Sequence, residues 1–62
     1  MKNTYYDLSL DELAGFYYYL NKYIEHGILS KAMYHEIQLI EQVALDKKIP
    51  LTWLYYKGSM VK

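Results

Sequence analysis

The chain has 62 residues, which is room for one small domain with limited surface to bury. Seven lysines balance seven acidic residues and arginine is absent, which argues against a nucleic-acid-binding surface. The chain has no cysteine, which excludes disulfides and thiolate metal sites. No apolar run is long enough to span a bilayer and the N-terminus lacks a secretory signal pattern, so we expect a cytoplasmic protein with no membrane partner.

The hydrophobic content of 53% is high for so short a chain. Without disulfides or a structural metal, a domain of this size often gains stability by association. We therefore expect residues 1–62 to form a single domain that is a homodimer.

The first helix is predicted over residues 10–26. Ser9 and Glu12 have the spacing of a capping box, and Gly27 suits a left-handed residue after the last turn. The apolar residues recur at helical spacing and predict one buried stripe, with Phe16 and Tyr23 widening it. The stripe itself consists of Leu10, Leu13, Tyr17, Leu20 and Ile24.

The second helix is predicted over residues 31–48, with Ser30 as its N-cap and Pro50 preventing its continuation. Met33, Ile37, Ile40 and Ala44 repeat the apolar stripe, but further apolar residues make the face too wide for one neighbour. Its other edge is expected to pack on the C-terminal segment or on a second protomer. Glu36 lies within this arc, either paired with a lysine or tyrosine hydroxyl or reaching water at its rim. The predicted oligomer interface comprises Ala32, Glu36, Leu39 and Val43.

The short turn at 27–30 favours an antiparallel two-helix hairpin, so the predicted class is all-α. Residues 51–57 are either a third short helix, with Pro50 before it and Gly58 past its end, or an extended segment. We expect the apolar and aromatic residues 51–56, which include Trp53, to fold over the hairpin and close the core. The alternative is an exposed docking patch.

The turn and its flanks carry a family pattern, which reads Leu20-x-x-x-Ile24-x-x-Gly27-Ile28-Leu29-Ser30-x-x-Met33-Tyr34 and continues to Leu39-Ile40. This pattern resembles the short helical hairpins called SHOCT domains. The resemblance implies an oligomerisation or docking module without catalytic residues. In scale the chain is also similar to small helical-hairpin regulators of Gram-positive bacteria and their phages.

Nine tyrosines in 62 residues are the most unusual feature of the composition. Within the run from Phe16 to Tyr19, Tyr18 and Tyr19 fall away from the buried stripe, and tyrosine is frequent at interface hot spots. The alternative is that both rings lie flat on the surface. Tyr5, Tyr6, Tyr55 and Tyr56 are expected to pack at the ends of the hairpin. The predicted partner-binding residues are Gly15, Tyr18, Tyr19, Lys22 and His26.

His26 and His35 each adjoin a glutamate, but their spacing matches no metal-binding pattern, so we expect no metal, no cofactor and no enzymatic activity. The favoured function is a protein-protein interaction module, a regulator or inhibitor that docks on a larger protein. A structural homo-oligomer is the alternative. A helix-turn-helix DNA-binding protein is less favoured, because helix 2 offers no basic face.

Overall fold

The computed structural model describes residues 3–27 and 30–60, and in these ranges it is all-helical with no strand. The predicted all-α class is confirmed. A short 3₁₀ helix, the N-terminal turn, precedes three α-helices. The bounds are Thr4–Asp7 for the N-terminal turn, Leu10–Glu25 for α1, Lys31–Asp46 for α2 and Leu51–Met60 for α3.

α1 begins and ends as its sequence predicts, to within one residue. The Ser9 hydroxyl accepts a hydrogen bond from the Glu12 amide at 3.1 Å, and the Glu12 carboxylate accepts one from the Ser9 amide at 3.1 Å. Gly27 has a φ of +84°, and its amide donates to the Ile24 carbonyl. The capping box and the glycine stop are therefore both confirmed.

α2 begins at its predicted cap, since the Ser30 hydroxyl accepts from the Ala32 amide at 3.2 Å. It ends at Asp46, two residues before the predicted boundary of 48. Lys48 adopts a φ of +60° and donates to the Leu45 carbonyl, while Ile49 donates to the Ala44 carbonyl at 2.7 Å. These two bonds form a Schellman motif, in which Lys48 occupies the position that usually holds glycine.

We expect Lys48→Gly to stabilise the protein. The left-handed conformation costs a side-chain-bearing residue about 1–2 kcal/mol, and the flexibility of glycine in the unfolded chain cancels about half of that gain. The free energy of unfolding should rise by about 0.5–1 kcal/mol in urea titration. The neighbouring Lys47→Gly serves as the control and should be neutral or destabilising. A loss of stability in Lys48→Gly would show that this C-cap is not formed.

α3 is a helix, so the extended alternative for residues 51–57 is not adopted. It continues through Gly58 instead of ending before it. Gly58 is buried, and a Cβ placed there would lie 2.1 Å from the Ala14 carbonyl oxygen. The glycine is therefore needed for close approach between α1 and α3, and has no role as a helix stop.

α1 packs mainly against α3 and makes fewer contacts with α2. The antiparallel hairpin expected from the 27–30 turn is thus not confirmed as the main packing unit; Ile28 and Leu29 of that turn lie outside the described residues. Eight side chains contributed by all three helices form the core. They are Leu13, Ala14, Tyr17, Ile37, Ile40, Val43, Ala44 and Leu54.

Leu54, which is fully buried, is the α3 residue that closes the core. Residues 51–56 thus contribute to the core as expected, but they do so through Leu54, and the Trp53 side chain is 41% exposed. The two residues differ by one position on the helix and so point about 100° apart. Tyr5, Tyr6 and Tyr55 pack against the core as expected, whereas Tyr56 is 65% exposed.

The N-terminal turn covers part of the wide face of α2. Tyr5 donates a hydrogen bond to Glu36 at 2.5 Å, Tyr6 donates to Asp46, and the Asn3 amide donates to the Leu39 carbonyl at 2.9 Å. Glu36 is thus satisfied by a tyrosine hydroxyl, one of the two partners considered from the sequence.

This arrangement corrects the proposed oligomer interface. Val43 is fully buried within one chain and cannot contact a second copy. Glu36 and Leu39 are half-buried beneath the N-terminal turn, and only Ala32 of the set is exposed. The extra width of the α2 face is therefore explained by the chain's own N-terminus.

The tyrosine contacts predict a loss of stability in alkali. Burial, together with the hydrogen bond to Glu36, raises the pKa of Tyr5 from 10.0 to about 12. Burial and the Glu41 carboxylate also raise the pKa of Tyr17. Because the fold favours the neutral phenols, this contribution is fully present below about pH 10 and is lost as the pH rises towards 12.

The test is the free energy of unfolding measured across this alkaline range, with tyrosinate absorbance followed in parallel. Tyr5→Phe is the control, and its decline should be shallower because the titrating group is gone. A wild-type stability that stays constant across the range would contradict the prediction.

Candidate protein-binding surface on α1

Three aromatic side chains project from successive turns of α1. Phe16 is 49% exposed, Tyr19 is 57% exposed and Tyr23 is 49% exposed. Their spacing of three and four residues places them on one side of the helix. We call Phe16, Tyr19 and Tyr23 the aromatic stripe. It is an exposed apolar surface with two hydroxyl groups, of the kind that marks protein interaction sites.

An open groove of about 240 Å³ lies at the N-terminal end of this stripe. Gly15 lines it and has no side chain to fill the space between its neighbours. Two carboxylates stand at the end nearest the start of α1. The lining residues are Asp11, Glu12, Gly15, Phe16 and Tyr19.

Both carboxylates of the groove have a polar partner within the chain. Glu12 takes part in the capping box, and Asp11 lies 3.7 Å from the Lys57 ammonium of α3. Both side chains are exposed, so these contacts are weak and can exchange with those of a bound molecule. The groove thus combines an apolar wall with an acidic end.

The Phe16 ring also packs against an aromatic ring of the N-terminal turn. It meets Tyr5 edge to face, with ring centroids 6.1 Å apart. Because Tyr5 also donates a hydrogen bond to Glu36, direct contacts connect α2 to the N-terminal turn and the N-terminal turn to Phe16. This support limits the motion of one end of the stripe, which lowers the entropy lost when a partner is bound.

Tyr18 is less exposed than the sequence predicts. It is half-buried against α3, with its ring centroid 5.1 Å from that of Tyr55. The Lys22 ammonium lies 5.3 Å from the Tyr18 centroid and pairs with Glu25 at 3.3 Å. Tyr55 donates to Glu25 at 2.8 Å, and this bond, with Lys22, lowers the pKa of Glu25. Tyr18 and Lys22 therefore hold α3 in place.

The five predicted partner-binding residues are consequently separated. Gly15 and Tyr19 lie together at the groove, while Tyr18 and Lys22 lie on the α3 side of α1. His26 is exposed at the C-cap of α1. Whether any of them binds a partner stays a prediction.

Phe16 and Tyr23 are surface residues that sequence reasoning placed in the core. Their helical positions do border the buried stripe, so periodicity alone assigns them to its edge. What distinguishes Phe16 and Tyr23 from core residues is the position of α3. It packs on the opposite edge of the buried stripe, over Ala14 and Tyr18. Only the tertiary arrangement shows that the Phe16 edge is left open.

No protein-family model, curated protein or solved structure matches this chain. The resemblance to SHOCT hairpins thus stays a prediction. Within residues 3–27 and 30–60, no group of three or more His, Asp or Glu side chains is arranged to hold a metal ion. In the same ranges, no helix has the length and apolarity that crossing a membrane requires.

Proposed function

We propose that this protein is a non-catalytic interaction module, a regulator or inhibitor that docks on a larger cytoplasmic protein through the aromatic stripe. One observation carries the proposal: Phe16, Tyr19 and Tyr23 are about half exposed on three successive turns, beside an open groove. Single exposed apolar residues are common on soluble proteins, but a large contiguous apolar patch is uncommon and marks an interaction site. Their exposure together on one side of α1 is what a binding surface requires.

The residue types support this assignment. Tyrosine offers a wide apolar contact at low cost in conformational entropy, and its hydroxyl stays hydrogen-bonded at an interface rim. The stripe is also dispensable for the core, whose buried α1 members are Leu13, Ala14 and Tyr17. Binding and folding are therefore assigned to different sides of the same helix.

The test compares three forms of the chain in capture from an extract of the source cells. The stripe variant carries Tyr19→Ser and Tyr23→Ser. The control is Tyr34→Ser, which removes an equally exposed tyrosine, 47% accessible, from α2. A protein retained by the wild type and by the control, and lost with the stripe variant, is then purified for affinity measurement.

With the purified partner, the stripe variant should bind at least about 30-fold more weakly, the effect of losing about 2 kcal/mol at a hot spot. The thermal midpoint of the stripe variant should stay close to that of the wild type. Equal affinity of the stripe variant and the wild type would overturn the proposal. So would unfolding of the stripe variant, since it would place these tyrosines in the core.

A further inference from the structure

A second apolar surface lies on the outer side of α3. Trp53 is 41% exposed, Tyr56 is 65% exposed and Met60 is 63% exposed. Steps of three and four residues place them on one side of the helix, roughly opposite Leu54 and Gly58, which are buried against α1. We call Trp53, Tyr56 and Met60 the α3 ridge. It is separate from the aromatic stripe in sequence and lies on a different helix.

None of the three α3 ridge side chains is charged. α3 has no acidic residue, and its single lysine, Lys57, is paired with Asp11 of α1. The formal net charge of the whole chain is zero. Two copies can therefore bring these surfaces together without like-charge repulsion, either locally or at long range.

We infer that the α3 ridge pairs with the α3 ridge of a second copy, antiparallel across a two-fold axis that passes close to Tyr56. The spacing makes the surface complementary to itself. Trp53 and Met60 lie on either side of Tyr56, so antiparallel pairing brings each Trp53 against the Met60 of the other copy. An isologous interface of this kind needs only one patch, which meets its own copy.

The chemistry of the paired side chains favours this arrangement. A methionine sulfur makes favourable contacts with an aromatic ring, so both Trp53–Met60 pairs are attractive. The two Tyr56 rings meet near the axis, where edge-to-face or offset packing is available. A parallel arrangement would instead place Trp53 on Trp53 and Met60 on Met60, without those mixed contacts.

A membrane surface is the competing occupant, because tryptophan and tyrosine also suit the lipid interface. Helices that bind membranes usually have several cations on their polar face. α3 has Lys57 alone, and the Asp11 carboxylate of α1 lies 3.7 Å from it. A second copy is thus the better match. With three large side chains from one helix of ten residues, the interface is small and the dimer is weak.

The first test uses the absence of cysteine to place single thiols on the ridge. Under mild oxidation, Tyr56→Cys should cross-link with itself. A mixture of Trp53→Cys and Met60→Cys should cross-link several-fold faster than either variant alone. Gln38→Cys, an exposed position on α2, gives the background rate. Cross-linking of Trp53→Cys with itself at the faster rate would overturn the antiparallel arrangement.

The second test leaves the ridge unaltered and uses Trp53, the single tryptophan, as its probe. Its emission should shift to shorter wavelength as the concentration rises from micromolar towards millimolar, together with a rise in mass by sedimentation. Tyr56→Glu should abolish both changes. A monomeric mass throughout that range would overturn the inference. An emission shift that requires anionic lipid vesicles would overturn it in favour of the membrane.

Discussion

Gly58→Ala should destabilise the protein by about 2–3 kcal/mol, the upper part of the range for overpacking a tight contact. The added methyl group would lie 2.1 Å from the Ala14 carbonyl oxygen and 2.6 Å from the Tyr18 Cβ. The Ala14 carbonyl belongs to the backbone of α1 and the Tyr18 Cβ is bonded directly to that backbone, so α3 must move outward as a unit. For a chain of this length the total stability is roughly 3–9 kcal/mol, so the loss is a large share of it.

Urea unfolding monitored by circular dichroism measures this effect. The matched control is Ser59→Ala, an exposed neighbour on the same helix, which should change stability by less than about 0.5 kcal/mol. If Gly58→Ala is too unstable for equilibrium unfolding, hydrogen exchange of the α3 amides replaces it, and these should lose protection. Equal or greater stability of Gly58→Ala would show that α1 and α3 do not approach as described, since alanine is the better helix former.

Leu54→Ala should cost about 2–5 kcal/mol, the range for deleting a fully buried leucine. Leu54 is 0% exposed and belongs to the same core as Leu13 and Ile40. Removing it leaves a cavity between α3 and the rest of the core. In a domain this small, the thermal midpoint should fall by at least about 8 °C.

Trp53→Ala is the informative comparison, because tryptophan is the larger side chain and lies in the same segment, residues 51–56, that was expected from sequence to close the core. With its ring 41% exposed, its loss should cost about 1 kcal/mol or less in dilute solution. Calorimetry of both variants at the same low concentration ranks the two residues. A larger loss of stability for Trp53→Ala than for Leu54→Ala would contradict the orientation of α3, in which Leu54 faces the core.

The local features of the fold are predictable from the sequence because each is decided by a few neighbouring residues. The capping box at Ser9 and Glu12, the left-handed Gly27 and the Ser30 cap all form as expected. In each case a side chain or a missing Cβ satisfies backbone groups within one turn. Such rules need no knowledge of the rest of the molecule.

The position of α3 is not predictable in this way, because it depends on contacts between distant residues. Gly58 resembles a helix stop when only its own neighbours are considered. Its role depends on Ala14, which lies far away in the sequence. The expectation that Tyr18 is exposed is wrong for the same reason, since α3 covers the side of α1 that periodicity marks as polar.

The candidate site could be predicted only in part from the sequence, because its extent depends on where α3 packs. Gly15 and Tyr19 do meet at one groove. Phe16 and Tyr23 are exposed on either side of Tyr19 only because α3 packs on the other side of α1. The proposed surfaces for a foreign partner and for a second copy then lie on different helices. Each can be altered by substitution without changing the residues of the other.

The stability of Tyr18→Ala compared with Tyr19→Ala tests the central arrangement most directly, because the two residues are adjacent and chemically identical. Tyr18 packs against Tyr55 and Gly58, so its loss should lower the free energy of unfolding by about 1–3 kcal/mol. Tyr19 is 57% exposed, and its loss should change that free energy by less than about 0.5 kcal/mol. A larger loss of stability for Tyr19→Ala than for Tyr18→Ala would contradict the placement of α3 and of the aromatic stripe together.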